Sequence, residues 1–79
     1  MDKIHEVIKA LEEMSTDTTI TKNVKTKIQA TLVALKEDIE ISLRVNKALH
    51  ELDDLTDDIN IEPYTRTQLW NVVSMLEMI

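Results

Sequence analysis

The sequence predicts an all-α fold: a compact four-helix bundle made of two duplicated helical hairpins. Three observations predict it. The 79 residues include no glycine and a single proline, Pro63, so the chain has few helix breakers and no residue suited to positive φ. Apolar side chains recur at three- and four-residue spacing in four separate segments, the mark of helices that bury one face. A shift of 41 positions also lays the chain on itself, placing Leu11 on Leu52, Met14 on Leu55, Asp17 on Asp58 and Ile20 on Ile61. The same shift places Lys25 on Arg66, Thr26 on Thr67, Ile28 on Leu69 and Leu35 on Leu76. Helical periodicity alone explains the apolar matches. It does not explain Asp17/Asp58 and Ile20/Ile61 at matching places in a loop.

The elements follow in order. In the first helix Ile4, Val7, Ile8, Leu11 and Met14 form one stripe. A polar loop over 15–21 ends at Thr21, a good N-cap for the second helix, whose core positions are Val24, Ile28, Leu32 and Leu35. Residues 36–40 link the two copies, with Asp38 the expected cap of the third helix. That helix offers Ile41, Val45, Ala48, Leu49, Leu52 and Leu55. The second loop, 56–62, runs into Pro63. Proline suits the first helical turn, where its missing N–H has no intrahelical partner, and Glu62 becomes the N-cap. The fourth helix offers Leu69, Val72, Val73, Leu76 and Ile79. Ile20 and Ile61 are expected to plug the ends of their hairpins. The reading is one domain, with repeats over about 1–38 and 41–79. A period of about 40 residues holding two helices is typical of helical repeats. A closed bundle is favoured over an open stack, because two repeats with bare ends leave apolar faces uncovered.

Composition excludes several classes. There is no cysteine, hence no disulfide, no thiolate metal site and no cysteine nucleophile. No apolar run approaches the ~20 residues of a membrane span. The first residues alternate charge with apolar side chains, unlike a secretory signal. A cytoplasmic protein is expected. A net charge of -6 argues against a nucleic-acid backbone as partner, and Lys22, Lys25 and Lys27 are too few for a basic stripe.

Constellations that could carry chemistry are weak. Asp58, Asn60 and Glu62 alternate like the start of a calcium loop, but Pro63 stands where an EF-hand needs glycine and Leu69 where it needs glutamate. His50 with Asp53 and Asp54, and Asp2 with His5, have helix-face spacing, yet the Glu-x-x-His motif of di-iron bundles is missing. The acidic cluster Asp53, Asp54, Asp57 and Asp58 sits at a helix carboxy terminus, where it opposes the macrodipole and calls for a counter-charge. Lys22 and Lys25 are in the mirror position at a helix amino terminus. No enzyme activity and no cofactor are expected.

The run Pro63-Tyr64-Thr65-Arg66-Thr67-Gln68-Leu69-Trp70-Asn71-Val72-Val73-Ser74-Met75-Leu76-Glu77 and the first-copy run Asp17-Thr18-Thr19-Ile20-Thr21-Lys22-Asn23-Val24-Lys25 resemble the uncharacterised archaeal protein family 0147. The resemblance covers nearly the whole chain. Lys22 departs from it, since the family often has proline there. It implies a compact four-helix domain in a cytoplasmic archaeal setting, and no activity.

The functional expectation is a non-enzymatic protein-interaction module. Arg66, Trp70 and Ser74 are spaced four apart along one side of the fourth helix. Trp70 either seals the bundle's edge with Arg66 lying against it or serves as a binding hot spot, for which Trp and Arg are the enriched types. The alternative is a homo-oligomeric structural protein, self-associating through an apolar patch of Met75, Met78 and Ile79 that points away from the core stripe.

Overall fold

A computed structural model describes residues 3–58 and 60–79. Asp2 of the Asp2/His5 pair and Ile59 of the Asp58-to-Pro63 hexapeptide lie outside these residues. Four helices follow one another: α1 (Lys3–Ser15), α2 (Lys22–Lys36), α3 (Ile41–Thr56) and α4 (Pro63–Glu77). Each packs on its neighbours in chain order, and α4 closes the ring against α1. The diagonal pairs α1/α3 and α2/α4 do not meet, so the chain is a four-helix bundle with one central core.

Each helix sends a fully buried anchor into that core: Leu11, Ile28, Leu52 and Leu69, all at 0% exposure. These four are two pairs related by the internal shift, so each hairpin contributes the same two positions. Ile20 and Ile61 are buried at the loop end, as expected for plugs. The most extensive packing is between α2 and α3, across the link. Ala34 on α2 and Ala48 on α3 are both buried there, and small side chains let helix axes approach closely. Thr31 is fully buried where α4 has the equivalent Val72. Its hydroxyl donates to the Lys27 carbonyl at 2.8 Å, which satisfies the buried oxygen within its own helix.

The two interhelix loops repeat hydrogen bonds at matching places. Asp17 Oδ1 accepts from the Thr19 backbone N–H at 2.9 Å, and Asp58 Oδ1 accepts from the Asn60 N–H at 2.9 Å. Each aspartate therefore builds an Asx turn that leads the chain toward the plugging isoleucine. The Ile20 and Ile61 N–H groups then donate to the carbonyls of Asp17 and Asp58. Replacing Asp58 by alanine removes one such bond and is expected to cost about 1 kcal/mol. A urea titration monitored by circular dichroism checks this, and Asp17→Ala, which also loses the Thr19 hydroxyl bond, should destabilise in the same direction.

Three end positions differ from expectation. The N-cap of α3 is Glu40, not Asp38, and its side chain makes no capping bond. The Glu40 carbonyl already accepts from Leu43 and Arg44, both at 3.1 Å, so the helix begins after Asp38's reach ends. Ile41 is 44% exposed and Ile79 is 42% exposed. Both keep the core phase, but they sit at the end of the bundle where their helices start and stop. By contrast, Thr21 caps α2 as expected, its hydroxyl accepting from the Val24 N–H. Glu62 occupies the N-cap of α4 with Pro63 in the first turn.

Candidate interaction face

The charges on the bundle divide unevenly among the helices. On α1 the solvent side presents Lys3, Glu6, Lys9, Glu12 and Glu13, and on α3 it presents Lys47, Asp53 and Asp54. On α4 it presents Tyr64, Thr67, Trp70, Asn71, Ser74, Glu77 and Met78, all exposed, with Glu77 at the helix end the one charge among them. Thr67, Asn71, Ser74 and Met78 recur at three- and four-residue spacing, so they form one stripe opposite the buried Leu69, Val72 and Leu76. Trp70 borders that stripe at 56% exposure. Trp70 is thus an exposed tryptophan on a charge-poor face, in a chain where 30% of residues are charged. The interior of a protein–protein interface has this composition: depleted in charge, enriched in Trp, Tyr and Met.

Trp70 therefore does not seal the bundle's edge. Arg66 is half-buried, and its guanidinium turns to the α3–α4 loop, where Nη2 donates to the Asp58 carbonyl. That bond ties the start of α4 to the loop, so the expected stacking partner of Trp70 serves the fold instead. Its counterpart Lys25 lies close enough to Asp17 to lower that carboxyl's pKa, behind the larger effect of the Thr19 hydroxyl and N–H bonds.

Met75, Met78 and Ile79 do not make one patch. Met75 is half-buried and packs on the core, lining a groove between α1 and α4 with Ala10, Met14 and Gln68. Met78 is 70% exposed and belongs to the outer stripe. Ile79 lines a separate hollow with Ile41, Val45, Leu49 and Leu76, between α3 and α4. Helical phase accounts for this: Met75 follows Val72 by three residues and shares its side.

The counter-charge for the acidic end of α3 is Lys27, and neither Lys22 nor Lys25 takes that place. Lys27 Nζ lies 3.0 Å from Glu51 and 3.1 Å from Asp54, bridging α2 to α3. Those two carboxylates hold the amine's pKa above its ordinary value, Glu51 contributing first. A folded pKa above the unfolded one means the contribution is complete below pH ~10. It is lost as pH rises through the folded value. Lys27→Met is therefore expected to flatten the alkaline limb of a stability-against-pH curve followed by thermal melting. Its effect at neutral pH should be small, because such surface pairs contribute little. Other ion pairs join Lys36 to Glu12 and Lys47 to Glu37.

Tyr64, Thr67 and Asn71 belong to the face beside the sequence candidates Trp70, Ser74 and Met78. Their signal was present as a helical stripe without charge. Lys27 carried none, since its place beside Glu51 and Asp54 is set by how α2 packs on α3. Among the described residues no helix is long and apolar enough to cross a membrane.

The family model of the uncharacterised protein family UPF0147 matches residues 1–79. A UPF0147 protein of Methanocaldococcus jannaschii is 39% identical over 70 residues, covering 87% of this chain and 75% of that protein. One from Thermoplasma volcanium is 36% identical over 74 residues, covering 92% and 83%. The crystal structure of the unknown-function protein MMP1188 superposes with a TM-score of 0.92 at 38% identity, covering 99% of this chain and 90% of that one. A UPF0147 crystal structure from Thermoplasma acidophilum gives 0.91 at 32% identity, covering 96% and 91%. With the same four-helix fold and a match along its whole length, the chain belongs to UPF0147.

Proposed function

We propose that the chain is a small, non-enzymatic, cytoplasmic interaction module that docks protein surfaces through the outer face of α4. The observation that carries this reading is Trp70, 56% exposed on a solvent side of α4 whose one charge is Glu77 at the helix end. Keeping a large aromatic in water forgoes its burial. A partner that covers the face recovers that burial. Two ends of the face supply further contact area, Tyr64 at 69% and Met78 at 70% exposure.

The test is affinity capture from cells that naturally produce the chain, wild type against Trp70→Ala. Folding of the variant is checked by circular dichroism, and every captured protein is read by mass spectrometry, the chain itself included. The variant is expected to keep its helicity and lose the captured species. A folded variant that retains every species would overturn the role of this face.

A further inference from the structure

We infer that the occupant of the α4 face is a second copy of this chain, docked with its own α4 antiparallel across a two-fold axis. The inference rests on the proposed role of that face and names its partner. A two-fold interface sets one surface against itself, so a face with net charge repels its copy. In a chain of net charge -6, the exposed side of α4 carries one charge, Glu77 at its end, so two copies approach there with little opposition of like charges.

The register of the pair follows from the charges on α4. Helix α4 contains two charged residues, Arg66 and Glu77, of opposite sign. They are eleven positions apart, about three helical turns, so they lie on one flank of the face. A two-fold axis that inverts helix direction keeps each flank on its own side and exchanges its ends. With the axis midway between Arg66 and Glu77, each arginine meets the glutamate of the other copy, twice over. Arg66 gives Nη2 to the Asp58 carbonyl, and a guanidinium has five N–H donors, so others remain for that carboxylate. The same axis lies almost midway between Trp70 and Ser74. It sets each Trp70 across the small Ser74 of the other copy, with both indoles close to the axis. Arg66, Trp70 and Ser74 are thus employed by one arrangement. Pairing two helices of this length buries roughly 1,000 Å² in total, at the small end of specific interfaces. A dimer dissociating at roughly 10–100 µM is expected, populated at high local concentration.

Sedimentation velocity across micromolar to millimolar concentrations tests this with the full chain. The wild type should shift from monomer to dimer, with Trp70 fluorescence moving to shorter wavelength in step. Ser74→Glu should weaken association at least ~30-fold, and E77R about tenfold through facing arginines. The swap R66E/E77R also loses the bond to the Asp58 carbonyl, so its folding is checked by thermal melt; folded, it should associate more tightly than E77R alone, a rescue that loss of folding does not imitate. A wild type that stays monomeric to millimolar concentration overturns the inference, as does a dimer indifferent to Ser74→Glu. A monomer that still loses a different captured protein on Trp70→Ala would leave the interaction module standing. A monomer with nothing lost would end both.

Discussion

Leu52→Ala is expected to destabilise the bundle by about 2–5 kcal/mol, the range for truncating a fully buried leucine. Leu52 is 0% exposed and joins Leu11, Ile28 and Leu69 at the centre of the core. A domain of this size holds only about 5–15 kcal/mol of net stability, and small ones fall at the low end. No disulfide is available to offset the loss. The variant therefore approaches the threshold of unfolding at ordinary temperature. Leu11→Ala, its repeat equivalent, should cost a similar amount, because both side chains enter the same core from matching helices. Equilibrium urea denaturation measures both. A cost below ~1 kcal/mol at either site would mean the surrounding helices collapse into the cavity, which the ring of α1 to α4 packing does not readily allow.

The second large effect concerns binding. Trp70→Ala is expected to abolish association through α4, a loss of at least ~2 kcal/mol or about 30-fold. Stability should move by no more than ~0.5 kcal/mol, since the side chain is 56% exposed in the monomer. This separation of binding from stability is what distinguishes a working surface from a structural one. Calorimetric titration or sedimentation gives the first quantity, and a thermal melt gives the second.

Much of this was legible in the chain itself. Leu11/Leu52 and Ile28/Leu69 could be placed in the core because periodicity and the internal shift agreed on them. Asp17 and Asp58 stood out as loop residues because they match between copies, and the matching Asx turns give the physical reason. What escaped depends on where one helix stops or another begins. Ile41 and Ile79 keep the core phase, yet exposure at the bundle's end follows from helix length, which periodicity does not measure. Glu40 displaced Asp38 as the cap because the backbone at the link sets the first turn, and cap preference is too weak to move it.

The face on α4 was half legible. Trp70, Ser74 and Met78 were visible as candidates, but their exposure depends on which side of α4 meets α1 and α3. Arg66 illustrates the limit. Its spacing from Trp70 suggested stacking, while the Asp58 carbonyl, eight residues before it, took the guanidinium. A backbone carbonyl leaves no trace in side-chain pattern. Met75 failed for a related reason: three residues from Val72, it turns toward α1 and joins the core.

The claim that α4 is the working surface is tested most directly by a photo-reactive amino acid placed at Ser74, in cells that naturally produce the chain. A second chain carries the same group at Gln29, an exposed position on α2. Position 74 is predicted to give a discrete cross-linked protein that disappears when Trp70 is also changed to alanine, with none from position 29. Adducts from position 29 and none from position 74 would contradict the account.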